Sequence, residues 1–174
     1  MKAVMLSVQP KWCELIASGQ KTIEVRKTKP RLETPFKCYI YCTKGEPIYL
    51  PRDIFGNNAM NGKVIGEFIC DRIRVDNEVA DQLVDVGLMR HSCLSSEELL
   101  RYADGNALYS WHISDLKIYD EPKELVEFWK AGSCPFANGS RCTYEYHCFR
   151  AGQIDRCGES LTRPPQSWCY VEEV

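Results

Sequence analysis

The 174-residue sequence is short of several features that would settle its class at once. No apolar run approaches the roughly 18 residues that a membrane-crossing helix needs, so no membrane partner is expected. Histidine is scarce, with three residues, which leaves cysteine as the abundant soft metal ligand. There is no internal repeat and no low-complexity tract, which excludes solenoids and linker-joined arrays. Charge of one sign is also missing: the net value of −2 carries no global basicity of the kind that marks a nucleic-acid binder. The start, Met1-Lys2 followed by AVMLSV, does not read as a signal peptide, and a cytoplasmic protein is expected.

What is present is an uneven distribution. Residues 1–31 hold seven Lys/Arg against two Glu, whereas residues 71–130 hold thirteen acids against seven bases. One end of the molecule is thus locally positive, as attraction of a phosphate chain requires; a merely uneven solvated surface is the alternative. Ten cysteines is a high count. Without a secretion signal they are expected to be reduced, metal-bound or buried rather than paired. Cys13, Cys38, Cys42, Cys70, Cys93 and Cys169 mostly lie in apolar runs, where a free thiol acts as a small hydrophobe.

The length fits one domain, residues 1–174, with a cysteine-rich insert at about 131–160. Strands are predicted over residues 2–8, 21–27, 36–42, 63–75 and 166–172, and a strand pair or one long bent strand over 107–119. Gly66 allows a bend or bulge within 63–75. Residues 45–62 read as a long loop, with room for one helical turn. Short helices are predicted over 11–18 and 122–129, the latter with Leu125, Val126 and Trp129 inward, and a loosely held one within 77–94. Ser95 with Glu98 forms a capping box for a further helix that stops before Gly105. Many strands with few short helices give an α+β domain, a small mixed β-barrel with flanking short helices.

Residues 6–26, LSVQPKWCELIASGQKTIEVR, organise the rest. Pro10 suits the first helical position, and Gly19 the position just past a helix end. Trp12, Leu15 and Ile16 fall on one helical face. Strand alternation then sets Lys21, Ile23 and Val25 toward the core and Thr22, Glu24 and Arg26 away from it. Lys21 escapes the core only by sitting in the turn before the strand. The pattern S-x-Q-P followed by G-x-K-T-x-E-x-R resembles the ASCH domain family of the PUA-like superfamily. The run Arg163-Pro164-Pro165-Gln166-Ser167-Trp168 resembles the end of its bacterial and phage members.

That resemblance implies a PUA-like β-barrel with a ligand cleft beside the motif. Ser7, Gln9, Lys21, Thr22, Glu24 and Arg26 would bind ligand there, with Arg163 and Trp168 from the C-terminal run. One bacterial branch of the family is similar to amidohydrolases that deacylate N4-acetylcytidine with a lysine, a threonine and a glutamate. Lys21 matches the lysine and Glu67 the glutamate, while Glu24 stands at the threonine position. Lys21, Glu67 and Glu24 are therefore the candidate catalytic residues. A lysine and carboxylates in a partly dry cleft can pair as an ion network or exchange protons.

Within the insert, Cys134, Cys142, Cys148 and Cys157 fall in C-x7-C-x5-C-x8-C spacing, with His147 among them. Four soft ligands in a loop poor in hydrophobes suit a structural zinc; an iron–sulfur cluster, disulfides and free thiols are the alternatives. The expected partner is single-stranded RNA or a modified nucleoside. The rival readings are a hydrolase acting on an acylated nucleoside at the same site and a scaffold whose insert docks a protein partner.

Overall fold

A computed structural model describes residues 1–45, 61–132, 137–138, 141–142 and 159–174. Cys134, Cys148 and Cys157, and the side chain of Cys142, lie outside the described residues, as does most of the predicted 45–62 loop.

The central element is β1 (Lys2–Val8), buried from Ala3 onward. It pairs in parallel with β3 (Phe36–Cys42) and antiparallel with β10 (Trp168–Glu172). The β1–β3 crossover carries α1 (Pro10–Ala17) and β2 (Ile23–Arg26). Completed by β4 (Val64–Cys70) and β7 (Ser114–Lys123), the first sheet has the order β10-β1-β3-β4-β7. A second sheet has the order β2-β6-β5, with β5 at Ile73–Asp76 and β6 at Leu108–His112. Helices α2 (Val86–Ser92) and α3 (Ser96–Ala103) join β5 to β6. A short pair, β8 (Ala137–Asn138) and β9 (Arg141–Cys142), stands apart. Among the described residues these ladders form separate sheets of a mixed α+β fold and do not close into a barrel. No helix among them is long and apolar enough to cross a membrane.

The chain changes sheet at two corners. The single strand expected over 63–75 breaks at Asp71-Arg72, so that β4 joins one sheet and β5 the other. The 107–119 segment is a strand pair with its break at Ile113, whose N–H donates to Thr22 O at 2.9 Å. The main core fills the space between the sheets: Phe36, Phe68 and Trp111 meet there with Leu6, Ile40 and the thiols Cys13, Cys38, Cys42 and Cys70. Burying these thiols costs nothing that a methyl would not, and burial pushes the Cys70 thiol up to about 12.

Gly66 marks a close approach. A Cβ there would lie 2.5 Å from Lys117 O, and the β4–β7 register shifts between Val64 and Gly66. A second shift against β3 pairs Tyr41 with Val64 but Ile40 with Gly66. Ile65 is therefore an extra residue, and Val64 packs with Met5, Tyr39 and Tyr41 on the opposite face from Phe68 and Cys70. The predicted helix at 122–129 is only a 3-10 turn, Leu125–Glu127. Pro122 and Lys123 are captured by the β4–β7 ladder instead, Lys123 pairing with Val64. Val126 is then 54% exposed, and Phe128 takes the inner position.

Candidate functional site

Three short structural decisions place Lys21. The α1 helix starts on Pro10 and ends at Ala17 with Ser18 as its C-cap, and Gly19 follows at φ +75, where a side chain is disfavoured. The chain doubles back so that Lys21 N–H donates to Leu15 O and Thr22 N–H to His91 O, both at 2.9 Å. The β2 strand begins only at Ile23. Lys21 therefore sits in the turn before it and does not share the core side with Ile23 and Val25. Its ammonium donates to Ser92 O at 2.7 Å, satisfying the last carbonyl of α2, and lies 3.4 Å from Glu24 Oε2.

Glu24 and Arg26 share a strand face, and the Arg26 Nη2 sits 3.0 Å from Glu24 Oε1. All three side chains are at least nine-tenths buried: Lys21 is 2% exposed, Glu24 and Arg26 9% each. Two cations thus hold one carboxylate, which leaves a net positive charge in a nearly dry setting. Arg26 has further duties. Its Nη2 donates to Ser7 O at 2.7 Å and its Nη1 to Ser167 Oγ at 3.3 Å, while its Nε, also buried, has no acceptor among the described residues.

These residues line a cavity of about 810 Å³, within the range of small-molecule sites. Ser7 and Gln9 line it from the end of β1, Trp12 from α1, Glu98 and Tyr102 from α3, and Gln166 and Ser167 from the approach to β10. Lys21 Nζ lies 5.3 Å from the centroid of the Trp12 ring, and Lys27 Nζ 5.2 Å from that of Tyr102. Burial pushes the Tyr102 hydroxyl up. The Ser95 N–H, completing the capping box, holds the Glu98 carboxyl below the usual carboxylate range.

Of the residues singled out in the sequence, Ser7, Gln9, Lys21, Glu24 and Arg26 come together here. Thr22, Glu67, Arg163 and Trp168 do not line the cavity. Thr22 Oγ1 pairs with His91 Nδ1 at 3.1 Å. Glu67, expected beside Lys21, instead accepts from Tyr119 Oη at 2.6 Å and lies 3.6 Å from Lys37 Nζ; that hydrogen bond and burial push the Tyr119 hydroxyl up, burial being the larger cause. Arg163 is exposed. Trp168 packs in the core rim, its ring 6.1 Å from Trp111 and 5.4 Å from Tyr170, and its Nε1 donates to Thr28 Oγ1. Tyr39 and Tyr41 are buried and offer no stacking face. His112 pairs with Asp71 at 2.7 Å.

Sequence reasoning places Trp12 on one helical face with Leu15 and Ile16 and gives it no site role, whereas Trp12, partly buried against the core, also lines the cavity. The buried stripe is Pro10, Cys13 and Ile16, and Trp12 is rotated toward the cavity. The i, i+3 spacing of those three residues is the available signal.

The fold has solved relatives. An ASCH protein from Zymomonas mobilis superposes with a TM-score of 0.59 at 17% identity, over 98% of this chain and 88% of that one. A tyrosine-to-phenylalanine mutant of the Zymomonas mobilis protein gives 0.58 at 18% identity, over 99% and 92%. A search of the curated proteins found no match. The ASCH domain family model matches residues 6–128, a segment that runs from the end of β1 through the Lys21–Glu24–Arg26 network to the turn after β7. The chain belongs to the ASCH domain family.

Proposed function

We propose that the cavity beside Lys21, Glu24 and Arg26 binds an unpaired nucleobase, either in single-stranded RNA or in a modified nucleoside. The observation that carries this reading is the combination of a buried, net-positive ion network with the aromatic ring of Trp12 in one concave site. A base offers a π-face for the ring, and its phosphate a negative charge for the cations outside. Lys27 and Arg101 stand at the cavity wall for that second task. A concave site of this size suits a splayed-out base, the usual target of sequence-specific RNA recognition. The test is titration with a short single-stranded RNA at several salt concentrations. Binding that weakens linearly in log affinity against log salt is expected. Absence of binding at low salt would sink the reading.

A second reading is hydrolysis of an acylated cytidine at the same place. It is favoured by Lys21 and Glu24 lying buried within 3.4 Å of each other on a cavity wall, an arrangement in which a proton can move between them and a substrate. With Glu67 engaged by Tyr119 and Lys37, the carboxylate of such a reaction would be that of Glu24. Turnover of N4-acetylcytidine that disappears in Lys21→Ala is the expected sign; no turnover at high protein concentration would remove it.

A further inference from the structure

The three buried charged groups of the cavity are committed to one another. Both Glu24 oxygens face cations, the Lys21 ammonium is held by Ser92 O, and both Arg26 Nη groups are spent on Ser7, Ser167 and Glu24, which leaves only the buried Nε without an acceptor among the described residues. They shape the site and set its charge, and they have little left with which to tell one base from another.

Two neutral side chains that line the same cavity are in the opposite condition. Gln166 is exposed and lines the cavity, and its carboxamide bonds nothing among the described residues. The backbone on either side of it is nonetheless clamped. Pro165 O accepts from Ser7 Oγ at 2.6 Å, Ser167 O accepts from Ser7 N–H at 3.0 Å, and Ser167 Oγ accepts from Arg26. Gln9 repeats the arrangement. Its carbonyl is fixed as the start of α1, accepting from the N–H groups of Trp12 and Cys13 at 2.9 and 3.0 Å. Its carboxamide makes no capping bond and lies exposed at the cavity. A helix start ordinarily favours Ser, Thr, Asp or Asn, whose side chains cap it; glutamine here leaves that bond unmade.

We propose that Gln9 and Gln166 are the specificity-determining residues of the cavity, reading the hydrogen-bonding edge of the bound base. This rests on the nucleobase reading given above. A carboxamide presents a donor and an acceptor side by side, which matches the alternating donors and acceptors of a base edge and ignores the charge of a phosphate. A free side chain on a pinned backbone gives that recognition a fixed origin.

The experiment is calorimetric titration of the wild type, Gln9→Ala and Gln166→Ala with each of the four ribonucleoside 5′-monophosphates. The wild type should rank the four. Each substitution should compress that ranking by about tenfold, as loss of a base-edge contact does, while the salt dependence of binding stays the same because no charge is removed. Thermal unfolding of both variants should coincide with that of the wild type, since neither side chain has a partner to lose among the described residues. A ranking that survives both substitutions would overturn this inference and leave the nucleobase reading standing. A wild type that binds none of the four would overturn both.

Discussion

Lys21 Nζ lies 3.4 Å from Glu24 Oε2 in a setting nearly shut off from bulk solvent, and Arg26 holds the other oxygen of the same carboxylate. The arrangement is asymmetric. Removing either cation leaves a pair, but removing the carboxylate leaves two buried cations with no counter-charge. Glu24→Gln is therefore expected to cost about 3–5 kcal/mol, read as a lowered urea midpoint at unchanged slope. The exposed pair Arg101–Glu97 serves as the contrast, with side chains 74% and 81% accessible; Arg101→Ala should cost no more than about 0.5 kcal/mol.

Gly66 has a role that its neighbours in β4 do not share. A methyl at this position would lie 2.5 Å from the Lys117 carbonyl and 3.1 Å from Ile118 Cα, both backbone atoms that cannot rotate away. Gly66→Ala should force β4 and β7 apart and destabilise the protein by about 1–3 kcal/mol, with a drop in melting temperature that a conservative change such as Ile69→Val would not produce.

Much of this was legible in the sequence. β1 and β3 fall on the predicted spans because each is a short, nearly continuous run of apolar residues, buried on both faces, and the Ser95–Glu98 capping box forms as written. The approach at Gly66 was marked by glycine itself. Misreadings arose where tertiary context outweighed local pattern. The break at Asp71-Arg72 has no glycine or proline to announce it, so two strands looked like one. Pro122 and the residues after it have a helical pattern, yet Lys123 pairs with Val64. Glu67 was placed beside Lys21 by family analogy, whereas the β4 register sets it opposite Tyr39 and Lys117. Glu24 and Arg26 were readable as a pair because a strand puts i and i+2 on one face; that Lys21 joins them follows from the turn at Gly19.

Two helix starts make stability depend on pH. The Gly87 N–H first, and Arg74 second, hold the Asp85 carboxyl below the usual range, and the Ser95 N–H does the same for Glu98. A carboxyl whose value is lower in the folded state contributes stability that is present above its unfolded value of about 4. That contribution is lost as pH falls through the folded value. The melting temperature should therefore be level from neutral pH down to about 5 and fall below about 4. In the double variant Asp85→Ala/Glu98→Ala it should begin lower at neutral pH and fall less steeply in acid. Parallel curves for the two proteins would mean that the acid response originates elsewhere.

Trp12 and Trp168 separate binding from folding. Trp12 lines the cavity, and Lys11 Nζ and Lys21 Nζ lie over its ring, 4.3 and 5.3 Å from the centroid, so a base stacked there would displace the exposed Lys11 ammonium from the ring face. Trp168 is the residue that the sequence offers first, but its ring is taken by Trp111 and Tyr170 and its N–H by Thr28. Stacking on an aromatic side chain contributes about 1–3 kcal/mol per base. Trp12→Ala should thus weaken nucleotide binding by that amount, and Trp12→Phe should restore part of it, because a smaller π-face remains. Trp168→Ala should act on the melting temperature instead, and titrations at a temperature where it stays folded should return an affinity close to that of the wild type. Calorimetry on the three variants, with circular dichroism to fix the folded fraction, measures both quantities at once. A large affinity loss in Trp168→Ala, with Trp12→Ala binding normally, would move the stacking platform to the edge of the five-stranded sheet and away from the Lys21 cavity.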